Sequence, residues 1–176
     1  MNGALAAELL QMADEDQRIR RPCPTDGEYV TVLSIEEAME YARVDVGNTD
    51  RLRDIVREHG WPGRSLVGEQ AAQAAWLLAQ HADRQFDFQR EVLPLLQRAA
   101  AVGEAKPAHV AYLTDRIRMA EGRCQRHGTQ IGDIRDGTPV PWPIEDAENV
   151  DERRREVGLE PLSDYLSGFA GERPST

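Results

Sequence analysis

Only one kind of side chain in this sequence has an ordinary pKa suited to proton transfer near neutrality, and it occurs four times: His59, His81, His109 and His127. His81 stands out by its company. On a helix over residues 69–83, Gln73, Leu77, Gln80, His81 and Arg84 fall within about 100° of one another, because successive residues turn about 100°. They form a polar stripe on an otherwise apolar rod. Two glutamines and a histidine are an odd way to solubilise a helix in a chain rich in Glu and Arg. The stripe therefore predicts an internal polar pocket, with His81 as general acid and base; the plainer alternative is a solvated face.

Residues 107–120 repeat the theme. Val110, Leu113, Ile117 and Ala120 make one apolar arc and Tyr112 with Met119 another, which leaves His109 and Arg116 between them and at least half buried. A buried arginine needs an anionic partner. Asp83 or Asp115 could supply it and tie helices together, or the planar fork of Arg116 could anchor a substrate carboxylate or phosphate. Asp115 or Asp83 is also the expected carboxylate orienting His81. Downstream, Gln125 and Gly128-Thr129-Gln130 start a turn where glycine permits close backbone approach. The Thr129 hydroxyl and the amides of Gln80, Gln125 and Gln130 could read a polar ligand there. His81, Arg116 and Gln130 are expected to share one solvent-reachable pocket. His59 sits at a helix C-terminus and reads as structural.

Other chemistries are argued down. Gly60-Trp61-Pro62-Gly63 is a turn without the Lys-Ser that completes a phosphate loop, and no GxSxG elbow or CxxC pair is present. His81 and Asp83 are two apart and diverge on a helix, so they do not chelate together. Convergence of His81, Asp115 and His127 on a metal is the weaker reading. No metal and no cofactor are expected. Cys23 and Cys124 form no framework, and reduced thiols are the default.

The elements that must position these residues follow from periodicity and punctuation. Leu5, Leu9, Met12 and Ile19 mark a helix over 4–20, stopped before Arg21-Pro22-Cys23-Pro24. Tyr29–Leu33 could be a short strand. Ser34 and Glu37 form a capping box for a helix from Ile35 to about Arg43. Asn48 or Thr49 can cap the next, with Leu52, Ile55 and Val56 inward and Gly60-Trp61-Pro62 as its stop. Trp76, opposite the polar stripe, is expected to be buried. Helices over 86–101, bent at Pro94, and over 107–120 complete a core of 49–121. Asp136-Gly137 is a hairpin dipeptide between His127–Ile134 and Thr138–Ile144, whose alternate prolines (Pro139, Pro141, Pro143) blank one edge. Helices from about Glu148 to Val157 and from Leu162 to Phe169 follow. The expected architecture is one α-dominated domain, 1–176, of six or seven helices with one β-hairpin near residues 126–144. Its parts are an N-terminal helix (1–21), the core, the hairpin region (122–145), C-terminal helices (146–170) and a tail (171–176).

Charge bounds the partners. The chain of 176 residues holds 21 basic and 31 acidic side chains, a net of −10. Residues 1–60 carry 13 acids against 7 bases and residues 121–176 carry 12 against 7, while the middle third is near neutral with 6 against 7. That excess argues against nucleic acid or an anionic membrane, and leaves a small-molecule ligand as the expected partner. Met1–Leu10 has no basic n-region and includes Glu8, unlike a signal peptide, and no run suits a bilayer span, so a cytoplasmic location is expected.

Several motifs, taken in order, resemble those of an uncharacterised bacterial family of small helical proteins. They are Asp16-Gln17-Arg18, Gly60-Trp61-Pro62-Gly63, Gln80-His81-Ala82-Asp83, Leu113-Thr114-Asp115-Arg116, Gly128-Thr129-Gln130 and Pro143-Ile144-Glu145-Asp146. The resemblance covers most of the chain and is weakest over 22–45. It implies membership and little chemistry. The family pattern has tyrosine where this chain has His127 and no cysteine at Cys124, which makes His127 a poor choice for an essential base. The functional expectation is a cofactor-independent enzyme performing acid/base chemistry on a small polar, anionic molecule. The rival is a non-catalytic binding or interaction module in which the same side chains form a structural network.

Overall fold

Leu5, Leu9, Ala13 and Asp16 recur at helical spacing and are the buried face of the first helix, α1 (Gly3–Arg20). A computed structural model describes residues 1–20, 34–135 and 138–170. The remaining expectations, the stop at Arg21-Pro22-Cys23-Pro24, the strand Tyr29–Leu33, the turn Asp136-Gly137 and the tail, lie outside the described residues. The fold is helix-dominated with one antiparallel hairpin. It resolves into two compact units, Met1–Leu95 and Leu96–Thr176.

The first unit begins with α1 and α2 (Ile35–His59). The Ser34–Glu37 capping box forms in both directions, and Gly60, at φ 72°, ends α2 by donating its N–H to Val56 O. Two helices were expected where α2 runs unbroken for 25 residues. The candidate caps are engaged otherwise. Asn48 donates its side-chain amide to Met12 O (3.3 Å) on α1, and Thr49 Oγ1 bonds Asp45 O (2.9 Å) one turn back. A single-turn helix, α3 (Arg64–Val67), leads into α4 (Glu69–Gln80). Ala71, Ala72, Ala74, Ala75 and Ala79 are buried on α4, and α1 packs more extensively against α4 than against α2. Small side chains permit that close approach. Leu9, Leu52, Ile55 and Leu78 fill the centre. Trp76 is half-buried rather than buried, because the buried side of α4 is set by its alanines. The helix α5 (Phe86–Ala101) continues through Pro94, and the boundary between the units falls within it.

The second unit is organised by α6 (Pro107–Ala120), with proline at its first turn. Strands β1 (Ile131–Arg135) and β2 (Thr138–Pro141) pair antiparallel, Arg135 opposite Thr138 and Asp133 opposite Val140, with a bulge at Gly132. The strands are shorter than expected because residues 125–130 take other partners. Gln125 N–H donates to Pro143 O and Glu145 N–H to Gln125 O, both at 2.8 Å. A 3₁₀ turn (Ala147–Asn149), α7 (Val150–Glu156) and α8 (Leu162–Ala170) complete the unit, with α8 against β2 and α7. No helix among the described residues is long and apolar enough to cross a membrane.

Candidate functional site

The α4 helix ends three residues earlier than its pattern suggested, and His81 is its C-cap, with its N–H still bonded to Leu77 O. That places the ring off the helix proper. Its Nδ1 lies 2.6 Å from Oδ2 of Asp16, on α1. Asp16 occupies the fourth place of the stripe Leu5, Leu9, Ala13, Asp16, so the packing that buries α1 also buries this carboxylate, whose side chain is 2 % exposed. Burial raises its pKa, but hydrogen bonds from His81 and Arg20 outweigh burial and hold it below the usual aspartate value. An ionised carboxylate can only accept, so Nδ1 carries the shared proton and the lone pair of the neutral ring resides on Nε2. Nε2 has no hydrogen-bond partner among the described residues, and the side chain keeps 19 % of its exposure.

Arg20, one turn beyond Asp16, ties this pair to a second carboxylate. Its Nε bonds Asp16 Oδ1 (2.8 Å), its Nη2 bonds Asp45 Oδ1 (2.8 Å) and His81 O (3.2 Å), and its Nη1 bonds the Tyr41 hydroxyl. The guanidinium also stands over the Tyr41 ring, 4.9 Å from its centre. Gln17 donates to Asp16 Oδ2 (3.1 Å). Asp45 is buried on α2, and burial pushes its carboxyl up, with Arg20 opposing and Asp83 adding to the rise. The two carboxylates on one guanidinium are thus moved in opposite directions. Arg84, half exposed, brings Nε within 3.8 Å of Asp45 Oδ2. Burial also raises the Tyr41 hydroxyl.

The expected site residues divide between the units. His81, Asp83 and Gln80 belong to the first. Asp83 is exposed, accepts from Gln89 Nε2 (3.2 Å), and contributes charge at Asp45 and Tyr41. Gln80 is 4 % exposed, and its Oε1 is buried without a hydrogen-bond partner. Asp115, Arg116, Gln125, Thr129 and Gln130 belong to the second. The carboxylate that meets His81 Nδ1 is Asp16, which the sequence reading did not select. Asp115, fully buried, anchors a loop: its oxygens accept the N–H groups of Arg126 (2.7 Å), His127 (3.0 Å) and Thr129 (3.2 Å) and the Thr129 hydroxyl (3.1 Å). Burial raises Asp115, but the His127 ring and these N–H donors prevail and lower it. Gln125 uses its amide on Gln130 O (3.0 Å), Trp142 O (2.7 Å) and Gln130 N–H (2.9 Å). Gln130 donates to Thr129 Oγ1 (3.0 Å). Arg116 is half-buried on α6, and its charge acts on Tyr165.

Asp16, Arg20, Tyr41 and Asp45 were missed. A charged residue in step with Leu5 and Leu9 was a readable signal, as was Asp45 in step with Thr49, Leu52 and Val56 on α2. Among the described residues, no group of three His, Cys, Asp or Glu side chains could hold a metal ion.

The fold and this site define a helix-dominated protein with an aspartate–histidine pair fixed at the end of a buried helix. The chain belongs to a family of unknown function, DUF6624, which it matches over residues 3–170. Comparison with curated proteins and with solved structures found no match.

Proposed function

We propose that this protein is a cofactor-independent acid/base catalyst acting on a small polar, anionic molecule, with His81 Nε2 as the proton-transferring atom. One observation carries the reading: His81 Nδ1 lies 2.6 Å from Asp16 Oδ2, and Nε2 has no hydrogen-bond partner among the described residues. Asp16 orients the ring and stabilises the imidazolium formed when Nε2 takes a proton. Arg84 supplies an exposed cation beside Asp45. Asp83 adds to the raised pKa of Asp45, and the Gln80 side-chain oxygen is buried without a hydrogen-bond partner among the described residues. Asp115, Gln125, Thr129 and Gln130 fit a role in holding the loop and hairpin rather than touching substrate.

The test is turnover of a panel of phosphate monoesters, carboxylate esters and oxo acids by wild type, His81→Gln and Asp16→Asn. General acid/base catalysis contributes about 10²–10⁴-fold, so His81→Gln should lose roughly that factor while remaining folded. Equal turnover by His81→Gln would remove His81 from the chemistry. A second reading, a non-catalytic interaction module, is favoured by Arg20, whose guanidinium is engaged by Asp16, Asp45, Tyr41 and the His81 carbonyl. In that case both substitutions change stability, and no member of the panel is turned over.

A further inference from the structure

The second unit holds a groove of about 410 Å³ between the C-terminal end of α5, α6, residues 126–127 and Val157. That volume is within the range of small-molecule sites, roughly 300–1,000 Å³. Its walls are mostly apolar, built from Ala100, Ala101, Pro107, Val110 and Val157, and its polar lining is Gln97, Thr114, Arg126 and His127. We propose that this groove binds an amphipathic monocarboxylate, its chain along the α5–α6 wall and its carboxylate against Arg126 and His127.

Three observations support that occupant. First, the Arg126 side chain is exposed and makes no hydrogen bond or ion pair among the described residues, although its backbone N–H is fixed by Asp115. Position is determined there while the charge is left to spend. Second, His127 turns Nδ1 inward, 3.5 Å from Asp115 Oδ1, so that in the protonated ring Nε2–H is the donor left for a carboxylate. Third, His127 O accepts from Arg154 Nη1 (2.6 Å). Arg154 is fully buried, with carbonyl oxygens and the Tyr165 ring as its partners and no carboxylate among the described residues. Its charge adds to the positive potential at residue 127.

A single carboxylate fits better than a phosphate. Arg126 also borders a depression lined by Glu145, Asp146, Glu152, Glu156 and Arg153; Glu145 is paired with Arg118 and Asp146 with Arg153, which leaves Glu152 and Glu156 to repel a dianion. The Arg126 guanidinium and the Nε2–H of a protonated His127 match one carboxylate fork. This site does not rest on the His81 reading, and binding here needs no proton transfer.

The test is an NMR titration of the ¹⁵N-labelled full chain with hexanoate, and with hexanamide and acetate as probes lacking the charge or the chain. Expected are saturable shifts at Val110, Ala111, Thr114 and His127 with hexanoate. Hexanamide and acetate should each bind at least about tenfold more weakly, a difference of about 1.4 kcal/mol. Arg126→Gln should weaken hexanoate by a similar factor, and Val110→Trp should fill the groove and abolish the shifts while the spectrum stays native. The absence of saturable shifts, equal binding of hexanamide, or an unchanged affinity in Arg126→Gln would each overturn the proposal.

Discussion

His81 Nδ1 and Asp16 Oδ2 lie 2.6 Å apart although 65 positions separate the residues in sequence. The contact is made by packing. The alanine-rich α4 lets α1 approach closely, and the end of α4 then presents His81 to the last buried position of the α1 stripe. Arg20 occupies the other Asp16 oxygen, so the carboxylate is held from two sides and the ring has one orientation. Among the described residues, Nε2 has no hydrogen-bond partner.

Replacing Asp16 with asparagine should strip the neighbouring Arg20 and His81 of their shared anion. Removing one member of a buried pair costs about 3–5 kcal/mol, and Asp16 is 2 % exposed. Urea unfolding of Asp16→Asn should show a loss of that order. A loss under about 1 kcal/mol would mean that the network contributes little to holding α1 against α4.

Two buried carboxyls with lowered pKa, Asp16 and Asp115, make stability fall on the acid side. For Asp16 and Asp115 the folded pKa lies below the unfolded one. Their contribution is fully present above the ordinary aspartate value, about 3.9, and is lost as pH falls through each folded pKa. Asp45 has the opposite sign: its folded pKa is raised, so its contribution is present below the ordinary value and lost as pH rises through the folded one. Urea midpoints from pH 7 to pH 3 should decline less steeply in Asp115→Asn than in wild type, and more steeply in Asp45→Asn. Parallel curves for all three proteins would contradict these directions.

Gly128 has φ +68°, and a Cβ there would stand 2.8 Å from Leu162 Cδ1 and 3.1 Å from Ile144 Cδ1. Gly103 has a similar φ of +78° with nothing within 4 Å. Alanine at either position meets left-handed strain of about 1–2 kcal/mol, but only at 128 does it also push α8 away from the loop. Gly128→Ala should therefore be clearly less stable than Gly103→Ala. Equal losses would show that the α8 contact is soft.

Phe88 is fully buried, so Phe88→Ala should cost about 3–5 kcal/mol. Trp76, half-buried at a groove between α1 and α4, should cost less on the same truncation. Thermal or urea unfolding that ranks them the other way would show that Trp76 is more deeply packed than its exposure indicates.

Local signals in the sequence carried much of the fold. The Ser34–Glu37 box, the Gly60 stop, the proline opening α6 and the apolar stripes each depend on residues within a turn or two of one another, which a linear reading can see. The fusion of α2 was not legible, because Asn48 is diverted by Met12 O on another helix. The same limit governed the site. His81 stood out by its type and neighbours, but its carboxylate was sought at Asp83 and Asp115, and only the α1–α4 packing brings Asp16 to it. Asp115, expected to orient His81, instead accepts the N–H groups of a loop, a convergence that leaves no mark in residue types. Asp16 itself was within reach: Ala13, rather than Met12, continues the stripe that leads to it.

The most direct measurement is the tautomeric state of His81, from long-range ¹H–¹⁵N correlations of the ring nitrogens across pH. The neutral ring should carry its proton on Nδ1, with Nε2 bare and protonating reversibly, and Asp16→Asn should shift the population toward the Nε2–H form. A neutral ring protonated on Nε2 in wild type, or one whose state is indifferent to Asp16→Asn, would contradict an aspartate-oriented histidine poised for proton transfer.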